Sequence, residues 1–133
     1  MSGYDPKDLS AFRMEKAEEC LKSAQENLKL EGYLTAANRS YYAIFHAMRA
    51  VLALDGSVSR KHSGIISEFR RLYIKTGIID KEMSPIIDEA FDIRTDCDYL
   101  DFFVISKEDV AEQVKNAEKF VEAIRSYLQR RSQ

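Results

Sequence analysis

Glycine, proline and cysteine are scarce in this 133-residue sequence, at five, two and two residues. So few turn formers exclude a sandwich or barrel, which needs a turn about every ten residues. Cys20 and Cys97 fit neither a zinc-ligand spacing nor a secreted disulfide framework. No apolar run reaches the roughly 18 residues of a membrane span, so no membrane association is expected. The start, MSGYDPKDLSAF, has neither a basic nor an apolar signal region, and a cytoplasmic location is the expectation. A net charge of −2 argues against general affinity for DNA or acidic lipid. Only two histidines occur, and the acids of 88–101 follow no EF-hand pattern, so no metal is expected. There is no glycine-rich phosphate loop and no G-x-S-x-G turn; neither a cofactor nor serine or cysteine hydrolase chemistry is expected.

What is present is an ordinary globular balance, 45% hydrophobic and 32% charged. The length suits one domain over residues 1–133. Apolar residues recur by threes and fours, the spacing of one helix face. Met14, Ala17, Leu21, Ala24 and Leu28 predict a helix over about 8–30, with Asp5 or Asp8 as cap, Pro6 at its entry and Gly32 at its exit. Residues 34–54 are apolar almost all round, which places that helix in the middle of a bundle or in an interface. A shorter helix follows over about 63–76, with Ile65, Ile66, Phe69, Leu72 and Tyr73 inward and Gly77 as its stop. Met83, Ile86, Ala90, Ile93, Cys97 and Leu100 mark a fourth, starting between Asp80 and Ser84. A fifth begins at Ser106, whose Ser-Lys-Glu-Asp resembles a capping box, and runs on the seam Val110, Val114, Ala117, Val121, Ile124 and Leu128. Residues 129–133 should fray. Short connections make neighbours antiparallel, giving an all-α, up-and-down bundle of four long helices plus one short helix.

Charge is uneven along this bundle. Residues 39–75 carry seven basic and two acidic side chains, whereas 80–112 carry three basic and eleven acidic. These are either solvated faces attracting each other within one fold, or a basic patch for an anionic partner beside an acidic one for a protein partner.

The few polar residues of the second helix are not scattered. Thr35, Arg39, Tyr42, His46 and Arg49 step by four, three, four and three into one narrow arc, with Asn38 at its edge. One reading is a plain solvent side, with Arg stems covering apolar neighbours. The other is a cleft or dimer surface where Arg holds phosphate bidentately and His titrates near neutrality. The fourth helix carries a second row, Ile87, Phe91, Arg94, Asp98 and Asp101, apolar at first and then charged. Arg94 and Asp98 form an i,i+4 pair with the acid C-terminal, the poorer order for an isolated helix, which suggests a tertiary role. Lys61-His62 is a further basic element, read either as a loop end or as part of a site. Polar interruptions of apolar surfaces must find partners, so Arg39, Tyr42 and His46 are expected to face Arg94 and Asp98 across a cleft.

ANRSYYAIFHAMRAVLAL on the second helix, KHSGIISEF after it and RTDCDY on the fourth together resemble the HEPN domains (higher eukaryotes and prokaryotes nucleotide-binding). The match is to their small stand-alone prokaryotic branch, and it covers nearly the whole chain in order. The resemblance implies a helical bundle that commonly forms a homodimer. It also implies a minimal nucleotidyltransferase protein as partner, the HEPN member acting as toxin and the transferase as antitoxin. Active members resemble metal-independent ribonucleases, in which Arg-x(4–6)-His from two subunits lines a shared cleft and the RNA 2′-hydroxyl is the nucleophile. Here Arg94 matches the arginine, but Thr95 to Asp101 include no histidine, so the catalytic His has no counterpart. Arg39 and His46 satisfy the spacing on the wrong helix. Tyr99 lies near the position of a tyrosine that the partner transferase adenylylates in some toxin members.

Two functions are therefore expected as alternatives. The first is a binding module for nucleotide, RNA or a nucleotidyltransferase, with ligand candidates Arg39, Tyr42, His46, Arg49, Lys61, His62, Arg94, Asp98 and Tyr99. The second is a metal-independent ribonuclease toxin using Arg94 with His46.

Overall fold

A computed structural model describes residues 5–57, 59–101 and 103–133. The first helix, α1 (Pro6–Lys29), starts where the sequence offers a cap: the Asp5 carboxylate accepts the Lys7 N–H at 2.7 Å, and Pro6 supplies a fixed φ without wasting a donor. The chain then reverses within three residues into α2 (Tyr33–Leu54). Gly32 was the expected exit, yet Glu31 takes the left-handed conformation (φ 63°) and Gly32 does not (φ −84°). Its small size does matter for packing, because a Cβ at Gly32 would stand 3.2 Å from the Asn27 side-chain oxygen, which would have to shift slightly.

Helix α2 lies at the centre of the bundle and meets each of the other helices. Tyr41, Ile44, Met48 and Val51 are fully buried, with Phe45 and Leu52 nearly so. The sequence left open whether its apolar breadth served a bundle or a dimer. The breadth is consumed inside the bundle, so it no longer argues for a second subunit.

The short helix α3 (His62–Phe69) differs from the regular helix expected over 63–76. Its continuation, Arg70–Ile74, is a π-helical turn, with the Lys75 N–H reaching the Arg70 carbonyl at 2.8 Å. The extra residue per turn keeps Tyr73 inward, stacked on Phe69 with ring centres 5.6 Å apart, and leaves Leu72 half-buried. Helix α4 (Met83–Tyr99) runs antiparallel to α2, and α5 (Lys107–Arg131) returns antiparallel to both α4 and α1. The Ser106 hydroxyl accepts the Asp109 N–H at 3.1 Å, as the capping sequence predicts. The structure is an all-α bundle with four long helices and one short one, and the described residues include no strand.

Two expectations fail at helix ends. Leu100 is exposed because α4 stops at Tyr99 and the backbone there is already extended. The C-terminus does not fray at Gln129; α5 continues to Arg131, whose guanidinium donates to the Tyr73 and Tyr127 hydroxyls at 3.0 Å and pairs with Asp55 at 3.4 Å. That cluster pins the last turn of α5 to the end of α2.

Truncating the central helix should show its role. Ile44→Ala is expected to cost about 2–5 kcal/mol in denaturant unfolding, the range for a buried aliphatic that leaves a cavity. Leu34→Ala, on the same helix but 51% exposed, should cost far less. Equal losses at both positions would contradict the assignment of the core.

Candidate functional site

The polar stripe of α2 reaches the surface along the seam between α1 and α4. Arg39 lies over the Tyr42 ring (5.4 Å to its centre) and is held by Asn38, whose side-chain oxygen accepts from Nε at 3.2 Å and Nη2 at 2.8 Å. Arg49 lies over Phe45 at 5.8 Å, and its carbonyl accepts a bond from Arg13 Nη1 at 3.2 Å. Helix α1 thus adds Arg13, and also Lys16, to the same neighbourhood. Among the described residues none of Arg13, Lys16, Arg39 and Arg49 is in an ion pair with a carboxylate.

His46 sits amid these four cations. Its Nδ1 is buried without a hydrogen-bond partner. Burial pushes its pKa down from the usual 6.5 to about 4, and the charges of Arg49, Lys16, Arg39 and Arg13 push the same way. The imidazole is neutral at physiological pH, a free acceptor or donor rather than another cation.

From α4, Arg94 closes the other side. Its guanidinium lies over the rings of Tyr41 and Tyr42, at 5.4 and 5.7 Å, and Nη2 donates to the Tyr42 hydroxyl at 3.3 Å. Nε is 3.1 Å from Asp98, but the N–H does not point at the carboxylate, so the contact is an ion pair without a hydrogen bond. His62, at the start of α3, joins this group: its Nδ1 and the Tyr41 hydroxyl are 2.6 Å apart, and its ring stacks on Phe45 at 4.1 Å. Burial, then Arg94 and Arg49, lower the His62 pKa. The histidine that feels the Arg94 charge is therefore His62, whereas His46 belongs with the cations of α1 and α2. Burial also raises the Tyr41 pKa to about 12, so that hydroxyl stays protonated.

The structure thus gathers Arg39, Tyr42, His46 and Arg49 on one strip, with Tyr42 as the meeting point of Arg39 and Arg94, and sets Asp98 and His62 beside Arg94. It does not gather Lys61, an exposed residue preceding α3, or Tyr99, which is 78% exposed and lies roughly 140° around α4 from Arg94. Arg13 and Lys16 were missed because α1's polar side reads as an ordinary wet face; only their position flanking Met14 and Ala17, the buried line of α1, hinted that they border α2. Burial raises the pKa of both Cys20 and Cys97, so neither thiol is primed as a nucleophile. Among the described residues no three His, Cys, Asp or Glu side chains converge as a metal site. A hollow of about 690 Å3 lies elsewhere, between the start of α1 and the end of α5.

Comparison with known proteins decides the family. The HEPN domain matches residues 10–127. The chain belongs to the HEPN family. A UPF0332 protein of Thermotoga maritima is 35% identical over 114 residues, 86% of each chain. A Methanocaldococcus jannaschii protein named "putative toxin" is 31% identical over 115 residues, 86% of this chain and 78% of that one. A UPF0332 protein of Archaeoglobus fulgidus is 31% identical over 115 residues, 86% and 91% of the two chains. No helix of this HEPN chain's described residues is long and apolar enough to cross a membrane.

The depressed His46 pKa has a consequence for stability. Its folded value, about 4, lies below the unfolded value near 6.5, so the unfolded chain takes up the proton first as pH falls. His46 should therefore make stability decline between pH 6.5 and 4 and contribute no slope above that window. Unfolding curves across the window should be flatter for His46→Gln than for the natural protein. An unchanged slope would contradict a buried, neutral His46.

Proposed function

We propose that this HEPN protein is the toxin-like member of a two-component pair and acts by binding RNA or nucleotide phosphate on the α1–α2 strip. The single observation that carries the reading is the set of four cations, Arg13, Lys16, Arg39 and Arg49, grouped around a neutral His46 without a carboxylate in ion-pairing range among the described residues. Like charges gathered without counter-charge are held apart only by solvent, and an anion relieves them. Arg39 and Arg49, roughly 15 Å apart along the α2 axis, suit separate, non-adjacent phosphates of a single strand, and an arginine fork binds phosphate bidentately. The matches to proteins named "putative toxin" support the toxin-like role, and the family resemblance supports a homodimer and a minimal nucleotidyltransferase as partner.

Binding without cutting is preferred because Arg94 has no histidine at the motif spacing and His46 is a poor proton donor at neutral pH. A second reading, metal-independent RNA cleavage by Arg94 with a histidine, draws support from one contact chain. Arg94 covers Tyr41, whose hydroxyl fixes His62. In the ribonuclease reading from sequence His46 filled that place; His62 is the histidine whose pKa Arg94 perturbs. Cleavage of RNA by the natural protein, lost in His62→Ala or in His46→Ala, would replace the binding-only reading.

The binding reading is tested by fluorescence anisotropy with a short single-stranded RNA over a range of salt. About 0.7 is expected in the log–log salt slope for each phosphate neutralised, so four contacts give a slope of roughly −3. Arg39→Ala and Arg49→Ala should each weaken binding and flatten the slope by about one contact. Binding that is independent of salt, or unaffected by both substitutions, contradicts the proposal.

A further inference from the structure

The acidic half of the chain has a surface of its own. Where α4 and α5 meet the segment that joins them, a hollow of about 410 Å3 opens between the helices. Glu89 and Asp92 edge it from α4, Asp109 and Glu112 from α5, all four exposed and none in an ion pair among the described residues. Its apolar lining is Ile93, Phe103 and Ile105, with Val104, 87% exposed, beside them. On α4, Glu89 and Asp92 stand roughly 140–160° around the helix from Arg94, so this groove and the cationic strip face different directions.

Acidic rims are common on solvated helices, and this one would mean little without Gln113. That side chain lines the same hollow, is only 2% exposed, and its Nε2 has no hydrogen-bond partner. A buried amide donor left unpaired is costly, and Gln113 gains a partner from outside only when its amide turns toward the hollow that it lines.

We propose that the α4–α5 groove docks a basic, partly apolar segment of a partner protein. A backbone carbonyl of that segment accepts from Gln113 Nε2, its Lys or Arg side chains face the four carboxylates, and an apolar side chain covers Ile93 and Val104. The alternatives fit less well. The acids are spread along the rim and do not converge, so they do not build a metal site. A polyamine has the charge but no acceptor for Gln113. RNA is repelled. The inference stands apart from the reading of the cationic strip and survives or fails without it.

The test is a two-dimensional amide NMR titration of the full chain with a blocked Leu-Arg-Leu-Lys-Leu peptide, with the corresponding Leu-Glu-Leu-Glu-Leu peptide and with spermine. The basic peptide should shift the Gln113 side-chain amide together with the backbone of Ile93 and Ile105, and the acidic peptide and spermine should not. Gln113→Met should weaken the basic peptide about fivefold, the worth of one neutral hydrogen bond. Asp92→Asn with Glu112→Gln, both exposed and safe for folding, should abolish most of the binding and its salt dependence. The proposal is overturned if no resonance at the groove moves, if spermine shifts Gln113 equally, or if the exposed double variant binds as well as the natural protein. It is overturned too if the same resonances move with rising protein concentration alone, since the occupant is then a second copy of the chain.

Discussion

One helix is buried on nearly every side and still carries a row of cations. Around that conflict in α2 the rest of the molecule is arranged. Its alanines and large apolar residues fill the space between α1, α4 and α5, and burial of such side chains, at roughly 1.5–3 kcal/mol for each large one, anchors the bundle. The polar stripe can then emerge only at the seam with α1 and α4. Arg94 lies on Tyr41 and has Asp98 beside it, but for Arg39 and Arg49 the neighbours are aromatic faces and further cations, so they lie on Tyr42 and Phe45. Contacts of that kind orient a guanidinium, at about 0.5–1 kcal/mol each in exposed settings, but leave its charge uncancelled.

The charge has not been balanced locally although the chain holds more acid than base. Four acids of α4 and of the start of α5, Glu89, Asp92, Asp109 and Glu112, stand on the far side of α4, around the hollow that Gln113 lines. Exposed ion pairs are worth little, about 0–1 kcal/mol, so folding does not require this separation and gains little by avoiding it. A strip that attracts anions and a groove that attracts cations are two binding surfaces of opposite preference on one small bundle. His46 is the internal reporter of the first: burial keeps its imidazole neutral and the surrounding cations add to that, and a phosphate would offset their part.

The fold was largely legible because helix faces repeat at 3.6 residues, and the run from Tyr41 to Leu54 has too little polar surface for anything but the middle of a bundle or an interface. The π-turn at Arg70–Ile74 was not, since a single inserted residue shows only in whether Leu72 or Tyr73 is the deeper, and periodicity allows either. The anchoring of Arg131 depends on Asp55, 76 residues earlier, and no local pattern announces such a partner. Gln113 could have been found: it falls three residues after Val110 and four before Ala117, on the very seam of α5 that the apolar pattern picks out. The site was half legible. The stripe of α2 and the Arg94–Asp98 pair could be read from spacing, but Arg13 and Lys16, and the contact of His62 with Tyr41, depend on how the helices pack against one another.

The most direct test of the cationic strip is an NMR pH titration of the His46 imidazole, alone and with a saturating short single-stranded RNA. Alone, the midpoint should lie near 4. With RNA bound it should move upward, because the phosphate's negative charge favours the imidazolium, and Arg39→Ala should reduce the movement. A midpoint that stays in place while RNA is bound would mean that the phosphate sits elsewhere, and that the cationic strip of α1 and α2 is only a wet face.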